Sequence, residues 1–133
     1  MSMKTKVSPA KILVIDDEPQ VTEIVETFLS GAGHKVYIDN VAVSGLKKAK
    51  EIKPDLILLD IMMPEVDGYD ICNNLKNDPE TANIPVLFLT GKDRGDDMGR
   101  SFQVGGDMFI KKPFSCDRLL EIINIILMST AKQ

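Results

Sequence analysis

Tryptophan is absent from the sequence, and its other aromatic residues are two tyrosines and five phenylalanines. The core must therefore be filled mainly by Ile, Leu, Val and Met. Cysteine is nearly absent too. Cys72 and Cys116 lie far apart inside apolar periodic segments, a spacing that matches no common metal or redox motif, so they read as buried thiols of a reducing compartment. The single histidine, His34, follows Gly33 in a turn with no partner signal and reads as a surface imidazole. Surplus positive charge is missing: the net charge of -4 argues against broad affinity for nucleic acid or anionic membrane. No apolar run reaches the roughly 18 residues of a membrane-spanning helix. The opening "MSMKTKVSPA" is basic but lacks the apolar stretch of a signal peptide, which makes the cytoplasm the expected compartment. Neither G-x-G-x-x-G nor G-x-x-x-x-G-K-[ST] occurs, which removes the common nucleotide-binding loops.

What remains is a chain of 133 residues, 44% of them apolar, a size and composition that suit one domain. The expected division is a loose tail over 1–10, a domain over 11–129 and a short tail over 130–133. Five apolar runs read as strands: "KILVI" from Lys11, "KVYID" from Lys35, the run from Leu56 to Asp60, "IPVLFLT" from Ile84, and Met108 to Ile110. Five helical patterns alternate with them. The first places Val21, Ile24, Val25, Phe28 and Leu29 on one face, with Pro19 in its first turn and Gly31 and Gly33 at its end. The second uses Ala42, Leu46, Ala49 and Ile52, and the third Ile71, Cys72 and Leu75. The fourth, "DDMGRSFQV", is weak, with Met98 and Phe102 as its apolar positions; the last, "CDRLLEIINIILMST", is the strongest. The third and fourth strands are solid apolar runs, the mark of a parallel sheet covered on both faces by crossover helices. The expected fold class is therefore α/β, a doubly wound five-stranded parallel sheet.

In such a sheet, reactive groups collect beyond the carboxyl ends of the strands. The first strand stops on Asp16-Asp17-Glu18, the third on Asp60, the fourth on Thr90, and the fifth runs into Lys111-Lys112-Pro113. Asp39 ends the second with no assignable role. Clustered carboxylates repel, and a divalent cation resolves the conflict; hard oxygens suit Mg2+, with Mn2+ as a substitute. Asp17 and Asp60 are candidate direct ligands, Asp16 a direct or water-mediated one, and the Met62 backbone carbonyl a further oxygen. Asp60 then keeps one oxygen able to attack phosphorus. Lys112, the Thr90 hydroxyl and the N–H groups of Ile61 and Gly91 are placed to clamp the phosphoryl oxygens. Glu18 reads as a first-turn acid favoured by the helix dipole rather than as a ligand.

On the pieces "VIDDEP", "DLILLDIMMPEVDG", "PVLFLT" and "GGDMFIKKPF", in this order and spacing, the chain resembles a response regulator receiver domain, the CheY-like module of two-component signalling. The resemblance covers roughly Lys11 to Met128. It implies a flavodoxin-like sheet of strand order 2-1-3-4-5, phosphorylation at Asp60, metal binding at Asp16 and Asp17, and a switch built from Thr90 and Phe109. It implies that Lys112 contacts the phosphoryl group and that the Lys112–Pro113 bond is cis. It also implies a sensor histidine kinase or histidine phosphotransfer protein as donor. The chain would then promote its own phosphorylation and slow hydrolysis while acting mainly as a switch.

Glycines at 91, 95 and 99 predict a short or frayed fourth helix. The last helix has a narrow polar stripe, and its surplus apolar side predicts a homodimer or target contact with the fourth helix and fifth strand. Too few residues follow that helix for a DNA-binding output domain, so no direct DNA binding is expected. A haloacid-dehalogenase-like phosphohydrolase is disfavoured, because "DIM" lacks the second acid of D-x-D. The competing reading of another kind is an interaction module of the same fold that is never phosphorylated.

Overall fold

A computed structural model describes residues 9–91 and 108–131. The elements are β1 (Lys11–Ile15), α1 (Pro19–Gly31), β2 (Lys35–Asp39), α2 (Ala42–Ile52), β3 (Leu56–Asp60), β4 (Met62–Met63), β5 (Val66–Asp67), α3 (Gly68–Lys76), β6 (Val86–Thr90), β7 (Met108–Lys111) and α4 (Cys116–Ala131). Five strands form one parallel sheet of order β2-β1-β3-β6-β7. This is the implied order; only the numbering changes, because β4 and β5 pair as a small antiparallel hairpin after β3. The fourth helical pattern, with Met98, Gly95 and Gly99, lies outside the described residues.

Every residue of β3 and β6 is buried, as their unbroken apolar runs require. Ile12, Val14, Leu56, Leu58, Leu87 and Leu89 point to one face, where Val25 and Leu29 of α1 and Leu119, Ile122, Ile123 and Ile126 of α4 cover them. The alternating residues Leu13, Ile15, Ile57, Leu59 and Phe88 point to the other face, under α2 and α3. Strand alternation thus divides the core into two halves that share the sheet.

Several elements depart from expectation. Ile24 of α1 is exposed while Thr22 is buried, and the Thr22 hydroxyl is satisfied by the Pro19 carbonyl at 3.0 Å. β6 begins at Val86, two residues late, because Ile84 N–H closes a turn onto Thr81 and Pro85 has no N–H to offer. Tyr69, a polar-tipped residue at the start of α3, is buried edge-on against Phe88 with ring centroids 5.0 Å apart. Asp39 braces the turn into α2: its carboxylate accepts from Val41 N–H and the Ser44 hydroxyl. Cys116 is only half-buried, whereas Cys72 is fully buried. In α4 the apolar surplus reduces to Ile125 and Met128 as its exposed large residues.

His34 is a plain correction. It is buried, and its Nδ1 accepts the Ala10 N–H at 3.1 Å. Ala10, assigned to the loose tail, is buried as well and accepts from Lys35 N–H at 2.9 Å. Nothing in the local sequence signals this pair, which forms only when β1 and β2 lie side by side. An accepting Nδ1 requires the neutral ring, and burial holds the His34 pKa below its ordinary value. The unfolded chain therefore binds the proton more readily. The resulting stability is complete above about pH 6.5, the unfolded value, and is lost as pH falls toward the lower folded value. Chemical denaturation from pH 7.5 to 5 should show this loss. His34→Asn, whose carbonyl oxygen can stand in for Nδ1, should flatten the slope in that window; an unchanged slope rejects the assignment.

The hairpin after β3 sets the entry to α3. Pro64 supplies a fixed φ, and Glu65 sits at φ 64°, the combination a type II turn asks for. Gly68 then starts α3 directly against the end of β3. A Cβ there would collide with the Asp60 carbonyl oxygen and approach Ile61 Cα to 2.7 Å, both backbone atoms that have no room to yield. Gly68→Ala should therefore cost about 1–3 kcal/mol in urea unfolding, the range of overpacking. It should also disturb the amide signals of Asp60 and Ile61.

Candidate functional site

The parallel register delivers the predicted residues to one edge of the sheet. Ile15 pairs with Leu59 and with Asp39, Asp60 with Leu89, and Thr90 with Lys111. Asp16 and Asp17 follow β1 directly, Asp60 ends β3, Thr90 ends β6, and Lys112 follows β7. The Lys112 N–H donates to the Thr90 carbonyl at 2.6 Å, which ties the lysine to the sheet, and the Lys112–Pro113 bond is cis. Asn40 steadies the other side by donating to the Asp16 carbonyl at 2.7 Å and to the Thr22 hydroxyl at 3.2 Å.

Asp17, Glu18, Asp60, Met62, Gly91 and Lys112 line an open cleft of about 300 Å3. Asp16, paired with Lys112, is fully buried, and Asp60 and Thr90 are buried as well. One oxygen from each of Asp16, Asp17 and Asp60 lies within 4.8 Å of the others. Asp16 Oδ1 accepts the Glu18 N–H at 2.9 Å, so this acid also serves the start of α1. Asp16 Oδ2 is buried, and the Lys112 ammonium meets it as an ion pair at 2.8 Å. Lys112 also meets Glu18 Oε1 at 2.9 Å, while Asp60 Oδ1 stands farther off at 3.6 Å.

Asp16, Glu18 and Asp60 thus share the Lys112 ammonium, with Asp17 beside them. Burial, then the charge of Asp16, push the Asp60 carboxyl up to about 8. The hydrogen bond with Asp17 acts in the same direction, and Lys112 and the Met62 N–H oppose it. Burial pulls the Lys112 ammonium down, but Asp16, Glu18 and Asp60 outweigh it and hold its pKa above the usual lysine range. An all-oxygen set of three carboxylates within 4.8 Å of one another, one of them fully buried, fits a hard divalent cation.

Two sequence expectations change here. The Ile61 N–H, assigned to the phosphoryl clamp, is already bonded to the Leu89 carbonyl at 3.0 Å, since the sheet ladder extends one residue past β3. The N–H beside the carboxylate is that of Met62, which donates to Asp60 Oδ1 at 3.2 Å. Glu18 is the residue that sequence reasoning passed over. It occupies the N-cap of α1, yet its side chain makes no capping bond and reaches Lys112 instead. Gly91 lines the cleft as expected and Lys111 is exposed. Phe109 is half-buried against the core beneath α2 and α3.

The sequence matches the family described as the response regulator receiver domain over residues 12–124. The chain belongs to this family. This receiver domain is 38% identical over 120 residues to the DNA-binding dual master transcriptional regulator RpaA of Synechocystis, covering 90% of the chain and 50% of the relative. It is 36% identical over 113 residues to protein PilG of Pseudomonas aeruginosa, covering 85% of the chain and 84% of that relative. Among solved structures, a CheY-like receiver domain protein of Methanospirillum hungatei superimposes with a TM-score of 0.87 at 26% identity, over 94% of this chain and 98% of that one. The chemotaxis protein CheY4 of Vibrio cholerae does so at 0.85 and 25% identity, over 90% and 99%. The chain spans about half the length of several curated relatives it matches, RpaA among them. Among the described residues, no helix is long and apolar enough to cross a membrane.

A cation held by Asp16, Asp17 and Asp60 should stabilise the fold by mass action. At a free Mg2+ concentration ten times its dissociation constant the gain should be about 1.4 kcal/mol, visible as a raised unfolding midpoint. Asp17→Asn, which removes one anionic ligand, should abolish most of that gain. An equal Mg2+ response in the variant places the ion elsewhere.

Proposed function

We propose that this receiver domain is a phosphoacceptor that takes a phosphoryl group onto Asp60 from a phosphohistidine of a sensor kinase or phosphotransfer protein. The observation that carries this reading is the convergence of three carboxylates and one ammonium in a cleft open to solvent. An Asp60 oxygen attacks phosphorus, the new O–P bond forms, and the P–N bond to the donor imidazole breaks. The imidazole leaves with the electron pair, neutral if its other nitrogen carries the proton. Mg2+, bound by Asp16, Asp17, Asp60 and the Met62 carbonyl, would neutralise phosphoryl charge and keep Asp60 ionised.

The chain's own groups have separate tasks. Asp16 and Asp17 fix the position of Asp60 and the charge around it. Lys112 supplies a mobile positive charge for the phosphoryl oxygens. The Met62 and Gly91 N–H groups and the Thr90 hydroxyl border the position those oxygens would take. Thr90 moving toward that anion, with Phe109 turning behind it, is the proposed switch, and α4 with β7 is the proposed face for a homodimer or target. The cytoplasm suits this role. Output beyond the receiver, DNA binding included, belongs to whatever the domain is joined to or docks on.

Incubation with acetyl phosphate and Mg2+ should add one phosphoryl group by intact-mass spectrometry, and chelation should abolish the gain. Asp60→Asn should gain none. Equal labelling of that variant moves the acceptor elsewhere. No labelling of the unaltered protein by acetyl phosphate or a phosphohistidine donor favours an interaction module that is never phosphorylated.

A further inference from the structure

We propose that Glu18 is a positioning residue for Lys112: its carboxylate holds the ammonium away from Asp60 and must be exchanged for phosphoryl oxygen when Asp60 is charged. The inference rests on the phosphoacceptor reading of Asp60. Its basis is the set of distances around Lys112 Nζ, 2.8 Å to Asp16, 2.9 Å to Glu18 and 3.6 Å to Asp60. The first two are contacts of full strength, while the third is outside hydrogen-bonding range. An ammonium has three donors, and Asp16 and Glu18 engage it more closely than the acceptor carboxylate does.

The two partners are not equivalent. The Asp16 side chain is fully buried, so breaking its pair would strand a charge in the interior. The Glu18 side chain is 47% exposed and can return to water. Glu18 is therefore the partner that Lys112 can exchange. The local backbone leaves it free to act so. An N-cap residue normally turns its side chain onto the first helical N–H groups, but Glu18 makes no such bond. The Glu18 N–H donates to Asp16 Oδ1 at 2.9 Å, and the Glu18 carboxylate extends to Lys112. Glu18 and Lys112 together border both the acidic cleft and the adjoining apolar groove formed by Val21, Ile24, Pro113 and Phe114. The ion pair thus lies at the mouth of the cleft, where an incoming phosphoryl group must displace it.

Beryllofluoride, an unreactive stand-in for the phosphoryl group, gives the test in the full chain at saturating Mg2+. Glu18→Gln keeps size and backbone while removing the charge. It should raise beryllofluoride affinity by about two- to five-fold, the scale of a half-exposed ion pair. Without Mg2+, the Lys112 ammonium signal in 15N-lysine-labelled protein should shift in the variant while the unfolding midpoint stays within a degree or two. Glu18→Ala should behave alike, which guards against a peculiarity of glutamine. Unchanged or weaker beryllofluoride binding in both variants overturns the proposal. A wild-type chain that binds no beryllofluoride overturns the phosphoacceptor reading itself.

Discussion

The structure depends on holding three carboxylates closer together than their charges favour. Asp16, Asp17 and Asp60 converge because β1 and β3 are neighbours in parallel register and both stop at the same edge. The backbone there is fixed by the sheet ladder and the buried side chains behind it. Fully buried β3 leaves Asp60 no route away from Asp16, so the repulsion is stored in place. Burial and Asp16 together push the Asp60 carboxyl up, and one lysine offsets part of the charge. The fold concentrates anionic oxygen there, and a divalent cation in that position would remove the repulsion that the sheet imposes.

Close packing around the acids keeps that geometry narrow. Gly68 lets α3 begin against the Asp60 carbonyl, and the Gly68 N–H donates to Ile61 at 2.8 Å. Gly45 plays the matching role in α2, where a Cβ would meet Ile15 Cδ1 at 2.7 Å, just behind Asp16. Both glycines serve close approach of a helix to a strand end. Lys112 is tied by its backbone to Thr90, so this cation is anchored at its base while its ammonium stands among the acids.

Much of this was legible before any coordinates. Solid apolar runs at 56–59 and 86–89 called for a buried parallel sheet, and that choice alone dictates which residues meet at its carboxyl edge. The boundaries of β1 and β2 were recovered because apolar residues stop against charge or turn residues. Less legible were features set by contact between distant segments. Thr22 is buried although it is polar, because its hydroxyl is satisfied by the helix and by Asn40, neither visible in periodicity. Tyr69 carries no burial signal in the periodicity, yet it follows Gly68 into the tight start of α3 and packs on Phe88.

The sequence by itself determined the fold class and the residue types at the site. Alternating apolar runs and helical patterns admit few topologies, and strand ends in such a topology share one edge. Tertiary structure alone decided the pairings. Whether Lys112 faces Asp16, Glu18 or Asp60 depends on differences below 1 Å that no spacing rule encodes. Which N–H lies beside Asp60 depends on where the ladder ends: one residue of extra pairing gives Ile61 to Leu89 and leaves Met62 for the carboxylate. His34 is the clearest case, since its Nδ1 is met by the N–H of Ala10, a residue that reaches it only across the β1–β2 pair. Periodicity reports what each segment buries. The partner of a polar atom is set by segments distant in the chain, and only the folded arrangement brings them together.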